Sequence, residues 1–312
     1  MSQPRAVPDG VVLVAKEAGP TSHDIVALVR RLSGVRRVGH GGTLDPFAAG
    51  VLPVFVGQAT RLAEYHLGDD KEYRALIAFG ARSTTDDLEG ELTPLDAPPP
   101  ARAAVEEALS KFLGQVEQVP PDYSAVHVGG RRAYELARHG RKPELRPRAV
   151  TFHRLELAGW DDSIPERPVA TAEMRCSAGT YVRALARDLG QRLGTGAYLA
   201  ALTRTASGPF RLDQAHPLDR VREELAAGRA AAIMLPPDAG LETLRRVTLE
   251  GRNLQSLLRG QAVAAGRLEL APPLAGDELV RVAGGDGRLA AIARLRDGRL
   301  QPEKVLVPLA QG

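Results

Sequence analysis

The apolar and polar positions near the start of the chain predict a strand followed by a helix. Residues 10–16, GVVLVAK, form an apolar run typical of a short buried strand, and Gly19-Pro20 ends it. Apolar residues then recur every three or four positions between residues 22 and 33, which predicts an amphipathic helix. Thr21 and Asp24 have the spacing of a capping box at its start.

The middle of the chain predicts more strands and helices, separated by a polar segment. Residues 71–80, KEYRALIAFG, alternate so that Tyr73 shares a strand face with the apolar residues at 75, 77 and 79. Residues 81–100 are polar and end in three prolines, which predicts a loop or loose hairpin. A moderate amphipathic helix is expected over residues 101–113 and a strand over residues 149–158.

A second strand and helix pair follows. Residues 169–176, VATAEMRC, alternate like a strand, and Ser177-Ala178-Gly179 predicts a turn. Thr180 is the candidate N-cap of the next helix, whose apolar stripe includes Leu185 and Leu189. Arg183 lies in the first turn of this helix, off the stripe and against the helix dipole, so we expect it to serve a site above the strand ends.

The C-terminal region has a different pattern. We place a linker near Leu235-Pro236-Pro237-Asp238. From Val247 onward, short β-like runs alternate with glycine turns, which predicts an all-β unit of about 65 residues resembling a small barrel. Helices and strands are therefore interleaved in one large domain, and a small β domain follows it.

Composition is that of a globular protein. The chain has 312 residues, 44% hydrophobic and 25% charged, and its single cysteine, Cys176, excludes an internal disulfide. Cys176 falls on an apolar strand pattern, so we expect a packed, unreactive thiol. No apolar run approaches bilayer-spanning length and residues 1–10 contain no signal core, so the expected compartment is the cytoplasm, with no membrane association.

Basic residues are concentrated in one segment. The net charge is +3, with a pI near 9.2, which hints at an anionic partner. Between His127 and Arg148 there are seven Arg or Lys residues and two Glu residues. Prolines and the Gly129-Gly130 pair make this segment a poor candidate for core. It is either an ordinary solvated face or a surface that attracts phosphates.

The segment over residues 38–58, VGHGGTLDPFAAGVLPVFVGQ, is the most distinctive part of the chain. Asp45 lies in it, among several glycines and directly before Pro46, which favours an extended conformation at Asp45. The apolar run VLPVFVG then predicts buried structure behind the loop. A lone loop Asp is usually a turn former or a helix cap, but this string is far longer than a common turn.

The string GHGGTLDPFAAGVL resembles the motif that carries the aspartate of the TruB family, the bacterial tRNA pseudouridine-55 synthases. The resemblance covers almost the whole chain and rests on several motifs in the family's order. These are KEYR at residues 71–74, VPPDYSA from residue 119, RRAYELARHG from residue 131, CSAGTYVR at residues 176–183 and GAYLAAL at residues 196–202. His127 and Thr203 depart from the family pattern, in which lysine and arginine are expected.

The resemblance implies an α+β fold, the pseudouridine synthase fold. It has a mixed, largely antiparallel bifurcated sheet flanked by helices, with a C-terminal small β-barrel of the PUA-like type. The expected domains are residues 1–236, which are catalytic, and residues 245–309, which bind RNA. Residues 123–148 correspond to a mobile thumb that closes on the RNA.

The resemblance also assigns the site. Asp45 matches the nucleophile, Tyr73 the aromatic residue against the target base, and Arg183 the partner of the aspartate. The positions that line the RNA site match His40, Tyr181 and Leu202. Basic thumb residues are expected to contact the RNA backbone: Arg131, Arg132, Arg138, Arg141 and Lys142.

The implied reaction isomerises uridine 55 in the tRNA T loop, breaking the C1′–N1 bond and forming a C1′–C5 bond after the base is flipped out. Nothing is oxidised or transferred from outside, so no cofactor and no metal are expected. The partner is the tRNA T stem-loop. The protein is expected to be a monomer that needs no obligatory protein partner.

Two other function classes stay open. A non-catalytic tRNA-binding or RNA-folding protein would use the same surfaces. A guide-RNA-dependent relative is possible in principle, but the intact basic thumb favours direct recognition of tRNA. A dinucleotide-binding enzyme is disfavoured because residues 39–42 lack the G-x-G-x-x-G spacing and no Walker lysine follows them.

Overall fold

The computed structural model describes residues 7–265 and 275–306. Its helices are α1 Ser22–Ser33, α2 Arg102–Ser110, α3 Ala133–Arg138, α4 Val182–Leu193, α5 Leu218–Ala226 and α6 Gly251–Leu258. The strands up to the C-terminal region are β1 Gly10–Lys16, β2 Val38–His40, β3 Ala49–Val56, β4 Lys71–Phe79, β5 Ala81–Ser83, β6 Leu92–Pro94, β7 Gly114–Gln118, β8 His127–Val128, β9 Arg131–Arg132, β10 Arg148–Asp161, β11 Val169–Cys176, β12 Ala197–Ser207, β13 Phe210–Arg211 and β14 His216–Pro217. The C-terminal strands are β15 Arg245–Thr248, β16 Val263–Ala264, β17 Leu279–Ala283, β18 Leu289–Arg296 and β19 Arg299–Val305.

The large sheet has ten strands and is mixed but mostly antiparallel. Its path runs β14-β1-β3-β12-β4-β11-β10-β7, with β2 on β3 and β13 on β12. The β14–β1 and β3–β12 contacts are parallel, and the β3–β12 contact pairs only Ala49 with Thr203 and Gly50 with Arg204. This short contact joins the two halves of the sheet, which fits the predicted bifurcation.

Helices cover the two halves of the sheet separately. Helices α2 and α4 pack on the half formed by β4, β10, β11 and β12, through residues such as Leu109, Leu185 and Leu189. Helices α1 and α5 pack on β1 and β3 through Ile25, Val29 and related residues. The apolar stripes read from the sequence therefore correspond to the buried helix faces.

The helix ends agree only in part with the sequence predictions. The capping box at α1 is confirmed, since the Thr21 hydroxyl accepts from the Asp24 N–H at 3.1 Å and Asp24 accepts from the Thr21 N–H at 2.8 Å. The predicted N-cap of α4 is wrong: Tyr181 occupies that position without a side-chain cap, and the Thr180 hydroxyl donates to the Ser177 carbonyl at 2.9 Å. The Thr180 hydroxyl therefore closes the turn after β11 and does not cap the helix.

The C-terminal strands form a separate five-stranded sheet, ordered β15-β17-β18-β19-β16 and curled into a half-barrel. The all-β prediction misses α6. Leu254, Leu257 and Leu258 have helical spacing, but Gly251 and Gly260 bracket so short a segment that it resembles a turn. Residues 266–274 and 307–309 of the predicted small domain lie outside the described residues.

The predicted linker is firmly attached at both ends. Leu235 exchanges two backbone hydrogen bonds with Val11, of 3.0 and 2.8 Å. The Asp238 carboxylate pairs with Arg281 of β17 at 2.9 Å. The prolines predicted a linker at this point. In the structure the segment is not free, because it pairs with β1 before it reaches the second sheet.

Candidate active site

Asp45 lies in the loop between β2 and β3, four residues before β3 contacts β12. Its neighbours Leu44 and Phe47 are buried in the main core. The Ser22 hydroxyl accepts from the Leu44 N–H at 2.9 Å and donates to the Leu44 carbonyl at 3.1 Å. Because residues on both sides are anchored, the carboxylate is presented from a fixed backbone.

A buried lysine holds the same loop from beneath. The ammonium of Lys16, which ends β1, donates to the carbonyls of Asp45 at 3.3 Å, Pro46 at 3.1 Å and Ala48 at 2.6 Å. Burial lowers the pKa of Lys16, and the Asp45 charge opposes that effect. The lysine adds a charged donor to the Asp45 and Pro46 carbonyls, each of which also accepts one backbone N–H. Its shortest bond is to the Ala48 carbonyl.

The guanidinium of Arg183 connects Asp45 to three other groups. Its Nε lies 3.0 Å from Asp45 Oδ2, and an Nη donates to Asp45 Oδ1 at 3.3 Å. The same guanidinium donates to Asp87 Oδ2 at 3.3 Å and to the carbonyls of Thr85 at 3.2 Å and Tyr123 at 2.9 Å. Arg183 is buried between two carboxylates, and so it is fixed in position.

The two carboxylates differ in exposure. The Asp45 side chain is 36% exposed and that of Asp87 is 3% exposed. Asp87 is also held by the Thr85 hydroxyl at 2.5 Å and the Glu89 N–H at 3.0 Å. Only Asp45 can therefore meet a bound molecule, and Asp87 orients the arginine.

The pKa of Asp45 is raised above its ordinary value of 3.8, chiefly because the carboxylate is desolvated. Arg183 opposes the rise most strongly, Asp87 adds to it, and Lys16 opposes it. The guanidinium therefore opposes the effect of desolvation and favours the ionised form of the carboxylate.

Tyr73 lies on β4 directly opposite Arg204 of β12. Burial raises the pKa of Tyr73, Arg204 lowers it, and the Asp45 charge raises it slightly. Asp45 also raises the pKa of the Tyr181 phenol, so both phenols feel the Asp45 charge.

The other residues predicted to line the RNA site lie around this group. His40 ends β2, and its Nδ1 accepts the Gly42 N–H at 3.3 Å. The His40 ring meets the His23 ring edge to face at 5.9 Å. Tyr181 occupies the N-cap position of α4, and Leu202 lies on β12 in the same inward row as Arg204, two residues away.

Four of the five predicted thumb residues are exposed. Arg131 and Arg132 form β9, which pairs with β8 across the Gly129-Gly130 turn. Arg141 and Lys142 follow α3 and are also exposed. Arg138 is the last residue of α3, and its side chain lies outside the described part of the structure.

Sequence reasoning missed three buried polar residues of the site: Lys16, Asp87 and Arg204. Lys16 and Arg204 each carried a usable signal, since a cation in the inward row of a buried strand needs partners. Asp87 carried none, because it lies in a polar stretch that resembles an ordinary loop.

Two negative observations apply to the described residues. Among them, no three His, Cys, Asp or Glu side chains cluster closely enough to hold a metal ion. No helix in residues 7–265 or 275–306 has both the length and the apolar character to cross a bilayer.

The chain matches two family models. One, described as TruB family pseudouridylate synthase (N terminal domain), matches residues 30–182. The other, described as tRNA pseudouridylate synthase B C-terminal domain, matches residues 183–249. Their boundary falls at the start of α4, inside the large sheet domain.

The relatives match over most of their length, and solved structures share the fold. A Symbiobacterium thermophilum protein named tRNA pseudouridine synthase B is 53% identical over 82% of this chain and 83% of its own. A Moorella thermoacetica protein of the same name is 44% identical over 95% of this chain and 99% of its own. A chain of a Cbf5-Nop10-Gar1 complex superimposes with a TM-score of 0.72 at 24% identity, covering 97% of this chain and 86% of that one, and confirms the predicted fold class. The chain belongs to the TruB family of pseudouridylate synthases.

Proposed function

We propose that the protein isomerises uridine 55 in the T loop of tRNA to pseudouridine, with Asp45 as the nucleophile. The observation that carries the proposal is the 3.0 Å ion pair between the accessible Asp45 carboxylate and the buried Arg183 guanidinium. The relatives named tRNA pseudouridine synthase B support tRNA as the substrate.

The reaction needs a nucleophile that can attach to the nucleoside and leave again, and a carboxylate can do both. It must be ionised, yet its pocket must be dry enough to disfavour hydrolysis. Desolvation raises the pKa of Asp45, and the fixed Arg183 charge offsets part of that rise. Whether the carboxylate attacks C6 of the base or C1′ of the ribose does not alter these requirements.

The target base must leave the folded T loop before the carboxylate can reach it. Flipping a base costs a few kcal/mol, and stacking on aromatic side chains returns roughly 1–3 kcal/mol per base. Tyr73 provides the platform for the uracil, and its phenol oxygen takes part in removing the C5 proton. His40 fills the space that the flipped base leaves in the RNA.

The exposed basic residues of the thumb, with Arg131 and Arg132 at its hairpin, supply phosphate contacts that position the T stem-loop. Pairing of Arg183 with the Tyr123 carbonyl connects the base of the thumb to the catalytic arginine. The protein acts as a monomer, in the cytoplasm.

We assign residues 1–236 to the catalytic domain and residues 245–309 to the RNA-binding domain. The two sheets support this division because each has its own core. A further apolar cluster, containing Leu62, Leu241, Ile292 and Leu306, lies between the sheets. We expect this contact to hold the second domain in a fixed orientation toward the bound RNA.

The test uses a T-arm minihelix containing uridine tritiated at C5. The wild-type protein is expected to release tritium and to leave pseudouridine at the position equivalent to 55. Asp45→Asn is expected to bind the same RNA with unchanged affinity and to release no tritium. Equal release by the variant would reject Asp45 as the nucleophile.

A minihelix with cytidine at the target position is the matched control, since it offers the same stem-loop without the reactive base. If the wild type bound the T arm but left uridine 55 unmodified, the protein would instead be an RNA-binding or RNA-folding member of the family.

A further inference from the structure

Arg204 is the largest fully buried side chain among the described residues, 1% exposed, and it lies beneath the candidate site. Its Nε donates to the Val51 carbonyl at 2.9 Å, and its two Nη atoms donate to the carbonyls of Thr43 at 3.3 Å and Gly42 at 3.1 Å. These acceptors lie on both sides of Asp45. The guanidinium thus spans the Asp45 loop from its entry to the first residues of β3.

The backbone at Arg204 also requires a glycine in the same loop. Gly50, with φ of +123°, pairs with Arg204 where β3 meets β12. A Cβ at Gly50 would lie 2.3 Å from the Arg204 carbonyl oxygen and 2.4 Å from its nitrogen. The close approach at Gly50 therefore brings the loop near enough for the Arg204 side chain to reach it.

Arg204 is also the neighbour of Tyr73 in the sheet. The two residues are direct cross-strand partners where β12 pairs with β4. The guanidinium is always charged, so this pairing places a buried cation beside Tyr73. The charge lowers the pKa of the Tyr73 phenol, against the larger effect of burial.

We propose that Arg204 is a positioning residue for the isomerisation: it holds the Asp45 loop beside Tyr73 and stabilises the phenolate that removes the C5 proton. This inference rests on the proposed function, because it names how the phenol of that site is prepared for its step.

The step balances without an outside reagent. The C5–H bond breaks, its proton goes to the phenolate oxygen, and its electron pair restores the ring double bond. N1, released from C1′, takes up a proton from solvent, and the phenol returns its proton to solvent. The C5 hydrogen is thus exchanged into water while the base itself keeps its composition.

The electrostatics of the pair support the proposal. Burial raises the pKa of Tyr73, and Arg204 is the largest influence that lowers it. Burial lowers the pKa of Arg204, and Tyr73 opposes that effect. Loss of the guanidinium charge would leave only groups that disfavour the phenolate, namely the dry surroundings and the nearby negative charges.

A second buried cation, Lys16, provides a comparison between an effect on the Tyr73 phenol and simple anchoring of the Asp45 loop. Lys16 also donates to carbonyls of the Asp45 loop, and its hydrogen bonds go to backbone carbonyls. Lys16→Met therefore loosens the loop and leaves the Arg204–Tyr73 pair in place. Arg204→Gln loses the charge at Tyr73 as well.

The experiment compares Arg204→Gln, Arg204→Lys and Lys16→Met in the full-length protein. Three quantities are measured: minihelix affinity, the single-turnover rate of pseudouridine formation, and the NMR signal of Tyr73 in protein labelled with ¹³C at tyrosine Cζ. Tyr73→Phe assigns the signal among the six tyrosines.

For Arg204→Gln we expect affinity within about twofold of wild type and a rate lower by about 10²-fold, the lower end of acid–base contributions. Its Tyr73 signal should move and titrate at higher pH. Arg204→Lys should recover part of the rate and move the signal back toward wild type, and Lys16→Met should leave the signal unchanged.

An unchanged Tyr73 titration in Arg204→Gln would overturn the proposal, as would equal rate losses in Arg204→Gln and Lys16→Met with no change in the signal. If circular dichroism shows that Arg204→Gln does not fold, Arg204→Lys alone decides: a wild-type rate and signal would overturn the proposal. If wild type forms no pseudouridine, the proposed function fails, and the Tyr73 titration still measures the coupling.

Discussion

The Asp45 loop and the thumb are both irregular, glycine-containing segments beside the same site, yet they are held in opposite ways. The loop over residues 42–51 is bonded to the buried cations Lys16 and Arg204 and to the Ser22 hydroxyl. The thumb over residues 123–148 presents to solvent those of its basic side chains that the structure describes. One segment has its backbone carbonyls satisfied from inside the protein, and the other keeps its charges outside.

This difference corresponds to two physical tasks. A reacting carboxylate needs to be preorganised, because small displacements from a productive geometry are costly. Phosphate recognition needs charge and reach, and long exposed arginines provide both at little cost in stability. The comparison predicts that substitutions around the loop change turnover or folding, whereas substitutions in the thumb change binding.

The largest expected effect is at Arg183. Arg183→Gln leaves Asp45 and Asp87 without their shared cation, so turnover should fall by about 10²–10³-fold, as when one preorganised donor is removed. The pKa of Asp45 should rise further, because Arg183 is the main influence that lowers it. Activity requires the ionised carboxylate, so the acid limb of the pH–rate profile should move to higher pH.

Single-turnover rates between pH 4.5 and 8 measure both effects. Arg187→Gln is the matched control, because Arg187 lies one helical turn along and pairs with Asp86 and Asp188. An acid limb that stays in place in Arg183→Gln would contradict the assigned role of the cation.

The second prediction concerns the anchoring of the loop. Lys16→Met keeps a long buried side chain but removes the charged donor from the carbonyls of Asp45, Pro46 and Ala48. The Asp45 and Pro46 carbonyls keep a backbone donor, so the main loss is at Ala48. An unsatisfied buried carbonyl costs about 1–3 kcal/mol, so the free energy of unfolding should fall by about 2 kcal/mol. Chemical denaturation measures it; a change below about 0.5 kcal/mol would show that the loop does not depend on Lys16.

The sequence predicted some of the elements that hold the Asp45 loop and missed others. Strand β1 was predicted with its bounds, since an apolar run between turn residues leaves little ambiguity, and the α1 capping box depends on residues only three apart. Asp87 reaches the site because its loop docks on β12, where the Leu88 N–H donates to the Leu199 carbonyl at 3.1 Å. A contact across more than a hundred residues leaves no local pattern to read.

The family motifs identified Asp45 and Arg183 as site residues, but they did not identify the residues that hold these two side chains in place. Lys16 was included in a strand because its neighbours are apolar, and Arg204 was noticed only through the adjacent Thr203. Their function comes from the close β3–β12 contact at Gly50, which is a property of the assembled sheet. Helix α6 was missed for a related reason, since packing stabilises eight residues that have little helical signal of their own.

A smaller effect is expected on stability at Asp45 itself. Its pKa is raised in the folded protein, so the folded state binds the proton more tightly than the unfolded chain does. The resulting stability is present below the unfolded pKa and is lost as the pH rises through the folded pKa. Asp45→Asn should therefore unfold at a higher temperature than wild type at pH 8, with the advantage shrinking toward pH 4.

Thermal unfolding at the two pH values measures this difference, with Asp213→Asn as a control on an exposed carboxylate. If Asp45→Asn were less stable than wild type at pH 8, the ion pair with Arg183 would stabilise the folded protein by more than the desolvation of Asp45 destabilises it.

The smallest effects on the folded protein, and the clearest effects on binding, are expected in the thumb. Arg131→Ala and Arg132→Ala remove exposed side chains, so the free energy of unfolding should stay within about 0.5 kcal/mol of wild type. Each phosphate contact that is lost should weaken minihelix binding several-fold and reduce the slope of log affinity against log salt by about 0.7–0.9. Arg222→Ala, an exposed arginine on α5, should change neither quantity. Salt titrations of minihelix binding test this prediction. If the double thumb variant keeps the wild-type slope while turnover falls, the thumb acts on the chemistry through the Tyr123–Arg183 contact. In that case the thumb and the Asp45 loop do not have separate tasks.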